Sequence, residues 1–191
     1  MEEQELIDNI KRGDQRALES LFSIYKDKVY NTAISYLQNK EDAEELLQDV
    51  FVEIYNSANK FKGNSSLSTW VYRISVNKSL DRLRHKNRKK RFAVITSIFN
   101  RDTGALDIDQ PDFYHPGIET DLKERSLLLF KALNSLPENQ RTAFILCKIE
   151  GLSYKEISEI LKTSTSAVES LMVRAKQNLK VYLSGKFDEL Y

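Results

Sequence analysis

Residues 136–180 read LPENQRTAFILCKIEGLSYKEISEILKTSTSAVESLMVRAKQNLK and predict short helices joined by tight turns. Gly151 suits the left-handed residue that ends a helix. Ser153 and Glu156 form an S-x-x-E capping box, which starts a brief helix at about 154–161. A tight turn then leads into a longer helix, so this layout predicts a helix-turn-helix.

The last helix of this stretch has two different faces. Its inward, apolar face consists of Val168, Met172, Ala175 and Leu179. Its outward face consists of Thr165, Ser166, Ser170, Val173, Arg174 and Gln177. The polar outer residues suit base edges and phosphates in a DNA major groove, although a plain pair of packed helices is the alternative. Glu169 lies near this face and would repel phosphate, unless it forms a second capping box with Ser166.

The first half of the chain shows the same helical period. Apolar residues recur at spacings of three and four over 18–37, after a predicted N-cap at Asp14. A second amphipathic helix follows Asn39 and is expected to end near Gly63, and a third starts at about Leu67. Three helices with short connections favour an antiparallel bundle. Because glycine (6) and proline (3) are scarce, we expect an all-α protein.

A linker separates the two halves. Residues 100–119 break every period, contain two prolines and two glycines, and hold five acids against one arginine. We therefore divide the chain into a helical bundle at 1–95, an acidic flexible linker at 96–120 and a helix-turn-helix unit at 121–191. Residues 92–99 are either an extra helical turn packed on the bundle or a segment that orders only on a partner.

Composition and spacing exclude several classes of protein. The single cysteine, Cys147, cannot form an internal disulfide, and no Cys/His cluster has metal-site spacing. The acidic amino terminus lacks the apolar core of a signal peptide, and no stretch approaches the roughly 20 apolar residues of a membrane span. His85 and His115 lack partners at ligand spacing, and there is no Gly-rich phosphate loop. We expect a cytoplasmic protein without membrane insertion, catalytic residues, metal, cofactor or small-molecule substrate.

The net charge of +1 hides two blocks of opposite sign. Residues 41–49, EDAEELLQD, hold five acids and no base. The helix macrodipole accounts for the first of these acids, but not for Asp49 or for Glu53 farther along. The other interpretation is a face that binds a partner. We expect this anionic face to lie apart from the cationic one.

The cationic block, 82–91, holds seven Lys or Arg and follows the only tryptophan, Trp70. At helical spacing, the polar neighbours of Trp70 are Asn77, Asp81, Arg84 and Arg88. A half-buried ring with snorkelling arginines is one interpretation. The other is a stacking platform for unpaired bases, with nearby cations that neutralise phosphates. The polar loop at 64–69 is either an ordinary turn or a pocket for an extruded base.

These motifs, in this order, resemble those of the sigma-70 family of bacterial transcription initiation factors, in its small extracytoplasmic-function group. Region 2 of the family is similar to ALESLFSIYKDKVYNTAISYL, DAEELLQDVFVEIY and STWVYRISVNKSLDRLR. Region 4 is similar to LPENQRTAFILCKIEGLSYKEISEIL and SAVESLMVRAKQNL. The resemblance implies two helical domains on a flexible linker. It also implies a chain that binds core RNA polymerase, directs it to promoter DNA and has an anti-sigma factor as a further partner.

Together, the helical faces and the resemblance assign residues to three surfaces. Docking on core polymerase is implied for Asp42, Glu45, Leu46, Gln48, Asp49 and Phe51. Reading and melting of the minus-10 element is implied for Asn64, Ser65, Ser66, Trp70, Asn77, Asp81, Arg84 and Arg88. Binding of the minus-35 element is predicted for Lys155, Thr165, Ser166, Ser170, Arg174, Lys176 and Gln177.

The chain departs from the family pattern at several positions. Val71 follows Trp70 where housekeeping members carry a second tryptophan, which predicts a smaller melting platform and a stricter promoter. Ala167, Glu169 and Leu171 stand where region 4 usually has Thr, Lys and Arg, which removes phosphate contacts. One rival reading is a helix-turn-helix regulator that binds duplex DNA without polymerase. A small nuclease or phosphotransferase is a weaker rival, because the chain lacks the motifs of either.

Overall fold

The computed structural model describes residues 3–99 and 123–188, with side chains described for 3–89 and 128–184. Within these ranges the regular secondary structure is α-helical, apart from one 3-10 turn at Ala58–Lys60, and there is no strand. The helices are α1 (Glu3–Lys11), α2 (Gln15–Leu37), α3 (Lys40–Ser57), α4 (Leu67–Phe99), α5 (Lys123–Ser135), α6 (Glu138–Lys148), α7 (Tyr154–Leu161) and α8 (Thr165–Asp188). The all-α prediction is confirmed. Residues 100–120 of the predicted linker lie outside the described residues.

Helices α1–α4 form the first unit, in which α2 packs against α1, α3 and α4. The predicted N-cap is present, because the Asp14 carboxylate accepts the Arg16 N–H at 2.9 Å. Helix α3 ends at Ser57, earlier than the expected stop near Gly63, because the chain tightens into the 3-10 turn. Helix α1 was not predicted, although Leu6, Ile7 and Ile10 are buried on one side of it. Its nine residues are too few to establish a period.

Helix α4 is one continuous helix from Leu67 to Phe99, so the backbone of 92–99 is helical. Ser66 caps its start, because the Ser66 hydroxyl accepts the Thr69 N–H at 3.1 Å. Glu3 also contributes to this cap, since its carboxylate accepts the Leu67 N–H at 3.0 Å. The first residues of the chain thus complete the start of the helix that carries the tryptophan.

Helices α5–α8 form the second unit, in which α6, α7 and α8 make the helix-turn-helix. The predicted capping box between Ser153 and Glu156 is complete, with both reciprocal bonds present. The predicted apolar side of α8 is buried at Val168, Met172, Ala175 and Leu179. The second capping box, between Ser166 and Glu169, was wrong: α8 already starts at Thr165, so Ser166 lies inside the helix, and Ser164 caps it by accepting the Ala167 N–H at 3.1 Å.

The two units pack against each other and share one buried core. Tyr36 of α2 is fully buried, and its hydroxyl donates to Thr142 Oγ1 of α6 at 2.9 Å. Gln38, the left-handed residue that ends α2, donates from Nε2 to the Phe130 carbonyl of α5 at 3.3 Å. The end of α2 therefore joins the first unit to the second.

Candidate nucleic-acid interface

The predicted docking residues on α3 divide between its exposed and buried sides. Glu45, Gln48 and Asp49 are exposed, and Asp42 is partly exposed. Leu46 and Phe51 are buried in the bundle, so they hold α3 in place and do not face solvent. The Phe51 ring packs against Phe22 with centroids 4.8 Å apart, and Phe22 is 40% exposed. An apolar contact point thus continues the acidic face towards α2.

The acidic face of α3 is not apart from the cationic residues, so that expectation was wrong. Arg82 of α4 reaches Asp42 at 3.0 Å, contacts Glu45 and lies 3.9 Å from Asp49. Lys86, one turn farther along α4, also pairs with Asp42. Burial tends to raise the pKa of Asp42, but the bonds from Lys86 and Arg82 hold this pKa below its usual value. Charges that are separate in sequence meet because α3 and α4 are neighbours in the bundle.

Trp70 is half-buried at the edge of the first unit. Its ring packs against Phe61 with centroids 5.0 Å apart and planes tilted by 45°. The ring therefore contributes to the core, while its remaining surface stays accessible to a partner. In the preceding loop, Asn64 and Ser66 are exposed, but the Ser66 hydroxyl is occupied as the cap of α4.

Three of the predicted minus-10 residues come together in one cleft. Asn77, Asp81 and Arg84 are exposed on α4 and line a cavity of about 400 Å³. From the second unit, the cavity is lined by Glu138, Asn139, Ile160, Leu161 and Lys162. This space between the units is called the α4 cleft below. Arg88 is also exposed on α4 but does not line the cleft.

Arg84 is held across the cleft by Glu138 in a two-pronged ion pair. Its Nε donates to Glu138 Oε2 at 3.1 Å and its Nη2 to Glu138 Oε1 at 2.5 Å. A third bond runs from Nη1 to Asp81 Oδ1 on the same helix at 2.9 Å. Arginine uses this fork geometry for carboxylates and phosphates alike. The carboxylate of the second unit thus occupies the fork that a phosphate would use.

Two further polar contacts join α4 to the second unit. The Tyr72 hydroxyl donates to Glu150 Oε2 at 3.0 Å, and Arg73 Nη2 donates to the Glu159 carbonyl at 2.8 Å. Burial raises the pKa of Glu150 to about 7, against the opposing effects of the Tyr72 bond and the Lys28 charge. Sequence reasoning missed Glu138 and Glu150, because no local pattern shows which partner a carboxylate will meet.

The predicted minus-35 residues lie at the surface of the helix-turn-helix. Lys155 on α7 and the six predicted residues of α8 are all exposed. The Ser170 hydroxyl donates back to the Ser166 carbonyl at 3.0 Å, which leaves its oxygen available as an acceptor. The outer face of α8, at Thr165, Ser166, Ser170, Arg174 and Gln177, is called the α8 face below.

Two features are absent from the described residues. No group of three or more His, Cys, Asp or Glu side chains is arranged to hold a metal ion in residues 3–99 and 123–188. In the same part of the chain, no helix is long and apolar enough to cross a membrane.

Comparison with known proteins places this geometry in a family. The family models "Sigma-70 region 2" and "Sigma-70, region 4" match residues 21–89 and 126–179. The chain is 30% identical over 182 residues to the ECF RNA polymerase sigma-E factor of Haemophilus influenzae, covering 93% of each.

Two solved structures share the fold. CnrH, solved in complex with the cytosolic domain of CnrY, matches with a TM-score of 0.67 at 21% identity, over 96% of this chain and 97% of that one. The sigma factor RpoE of Bartonella quintana, solved with the anti-sigma factor NepR, matches with a TM-score of 0.61 at 21% identity, over 87% and 96%. The chain belongs to the sigma-70 family of RNA polymerase sigma factors, in its extracytoplasmic-function (ECF) group.

Proposed function

We propose that this chain is a transcription initiation factor that binds core RNA polymerase and directs it to specific promoters in the bacterial cytoplasm. The observation that supports the proposal is that one chain carries two exposed polar faces with basic residues. One lies on α4 next to Trp70, at Asn77, Asp81, Arg84 and Arg88, and is called the α4 face below; the other is the α8 face of the helix-turn-helix. A regulator of duplex DNA needs only the second of these faces.

On this proposal, the α4 face reads and opens the minus-10 element. The accessible side of Trp70 stacks on an unpaired base, while Arg84 and Arg88 neutralise phosphates of the same strand. The chain needs no catalytic residue for melting, since binding the single strand favours the open state by mass action. Accordingly we propose that the protein is not an enzyme.

The α8 face binds the minus-35 element as duplex DNA. Arg174 and Gln177 are exposed on the same helix as Ser166 and Ser170, and this mixture suits phosphates and base edges in a major groove. Glu169 is exposed nearby and opposes phosphate, so we expect few backbone contacts and a modest affinity from this face alone.

The acidic face of α3 docks on core polymerase through its exposed members, Glu45, Gln48 and Asp49. Arg82 bridges Asp42 and Glu45, so it fixes the spacing of these carboxylates. An anti-sigma factor is a further proposed partner, because the structural relative RpoE was solved with one.

The experiment that tests the proposal is in vitro transcription with core RNA polymerase over a fragmented bacterial genome, with start sites mapped. We expect the chain to direct initiation at a defined set of sites that core polymerase alone ignores. Promoter binding should then be measured with and without core. Specific binding by the free chain that core does not improve would favour the regulator instead.

The docking surface has a separate test with a matched control. Asp49→Lys and Glu44→Lys reverse exposed charges on the same helix, but only Asp49 is among the residues predicted to dock. We expect Asp49→Lys to weaken core binding about tenfold or more, because a cation would meet the polymerase where an anion is needed. Glu44→Lys should change core affinity less than threefold. Equal effects of the two would remove the docking role from this face.

A further inference from the structure

The α4 cleft is closed by side chains of the second unit. The fork of Arg84 is taken by Glu138, and Arg73, at the amino-terminal end of the cleft, is tied to the Glu159 carbonyl. Next to the cleft, Tyr72 is bonded to Glu150. The residues proposed to receive the minus-10 strand are therefore partly occupied while the units stay packed together.

We infer that the second unit is an intramolecular competitor for nucleic acid, in which the Glu138 carboxylate takes the place of a phosphate at Arg84 and the Glu150 contact keeps the units closed. This inference rests on the proposed role of the α4 face. It adds a regulatory step to that role, because single-stranded DNA binds the α4 face only when the two units separate.

The chemistry of the cleft supports competition. A carboxylate and a phosphate offer Arg84 the same paired oxygens, so one excludes the other at this guanidinium. The cavity of about 400 Å³ is bounded on one side by α4 and on the other by α6 and α7, so a DNA strand cannot lie along Asn77, Asp81 and Arg84 without moving the second unit.

The contacts around the cleft are of a kind that breaks readily, so the two units can separate. The Arg84–Glu138 pair is partly exposed on both sides, and such pairs are weak. Arg73 Nε and Glu150 Oε1 are among the buried side-chain atoms of the described residues that have no hydrogen-bond partner. Unsatisfied groups weaken the closed state relative to an open one in which water reaches them.

The first test measures binding of the full chain, without polymerase, to a fluorescein-labelled 15-nucleotide oligodeoxythymidine by anisotropy. Glu138→Gln keeps the shape of the side chain and removes its charge. We expect it to bind the probe about three- to fivefold more tightly, the range that a partly exposed ion pair allows. Glu5→Gln removes an exposed charge from α1, and should change the affinity less than twofold.

A double-variant cycle assigns the gain to the cleft. In an Arg84→Gln background, Glu138→Gln should give no gain, because there is no fork left to release. The same gain with and without Arg84, or an equal gain from Glu5→Gln, would overturn the competition and leave a general charge effect.

Glu150→Lys tests the closure itself, because a lysine here would be buried against Tyr72 and close to Lys28. We expect a larger radius of gyration by small-angle X-ray scattering and tighter probe binding than the matched control Glu5→Lys. An unchanged radius would overturn the role of Glu150, and an open chain with unchanged affinity would overturn the masking. Circular dichroism checks that helicity is retained. If Glu150→Lys loses helicity, the double-mutant cycle of Glu138 and Arg84 tests the inference instead.

These outcomes are separable from the proposed function. Transcription with core polymerase tests the proposed function, whereas probe binding and X-ray scattering by the free chain test the closure of the two units. A chain that transcribes but shows no gain from Glu138→Gln keeps its function and loses this inference. A chain that fails to transcribe but shows the gain retains the intramolecular competition without the promoter role.

Discussion

The α4 face and the α8 face differ in what covers them. On the α8 face, all the predicted contact residues are exposed. On the α4 face, Arg84 is bonded to Glu138, and Asn77 and Asp81 lie inside the cleft. On our proposals, the closed form exposes the face for duplex DNA and covers the face for single strands. The difference teaches that exposure of one residue says little until the partner across the cleft is known.

The largest expected effect removes the aromatic platform of the α4 face. Trp70→Ala should cut open-complex formation by about 5- to 150-fold, since one base stack contributes about 1–3 kcal/mol. Binding to core polymerase should change less than twofold. Permanganate reactivity of promoter thymines measures opening. Because the ring also packs on Phe61, Trp70→Phe is the companion variant: it keeps the packing and should lose less. Equal loss of core binding and opening would contradict the assigned role.

The next effect is a pH dependence that only the α4 face should show. The pKa of Glu150 is raised from 4.5 to about 7 by burial in the closed form. Between these pH values the closed form therefore binds one more proton than the open form. Closure is most favoured below about pH 4.5, and its equilibrium constant falls by up to about tenfold per pH unit until about pH 7. Tyr72, Lys28 and Thr32 face this carboxylate.

Affinity for the oligodeoxythymidine probe at pH 5.5 and 7.5 measures this dependence. Relative to Glu150→Gln, which cannot ionise, the wild-type chain should gain roughly tenfold in affinity between the two pH values. Identical pH profiles would show that Glu150 does not control closure.

A smaller effect is expected on the α8 face. Arg174→Ala should weaken binding of minus-35 duplex several-fold and lower the salt slope by about one, because one phosphate contact is lost. The same variant should leave probe binding by the α4 face unchanged. Binding titrations at several salt concentrations check both statements, and an unchanged slope would remove Arg174 from the phosphate contacts.

The smallest effect concerns stability of the helix-turn-helix. Ser153→Ala removes the hydroxyl that accepts the Glu156 N–H, a cap that contributes about 1 kcal/mol. Thermal unfolding should shift down by a few degrees. Ser184→Ala, at an exposed position late in α8, is the control and should shift it less. A larger decrease in unfolding temperature from Ser184→Ala than from Ser153→Ala would contradict the stabilising role of the Ser153 cap.

Sequence reasoning succeeded where the signals were local. The bounds of α7 and the buried side of α8 follow from a capping box, an αL residue and an apolar period within some 30 residues. Helix α1 escaped because nine residues with three apolar positions give little periodicity, and its stability comes from packing on α2.

The contacts that decide the candidate site are long-range, and this is why they were missed. Arg82 and Glu45 are 37 positions apart, and Arg84 and Glu138 are 54 apart. Family resemblance indicates which face meets DNA or polymerase, but it does not show that the same chain supplies a carboxylate to that face. Helical wheels of α3 and α4 drawn side by side would have indicated that Arg82 pairs with the acids of α3. No local sequence pattern indicates that Glu138 contacts Arg84.

The buried Tyr36 has a consequence for the synthesis of the protein on the ribosome. Its hydroxyl partner, Thr142, is encoded 106 residues later. At about 5–20 residues per second, translation leaves this tyrosine without its partner for roughly 5–20 s. During that interval the newly made bundle shows an aromatic surface that the finished molecule conceals, so a chaperone has a brief period in which to act on it.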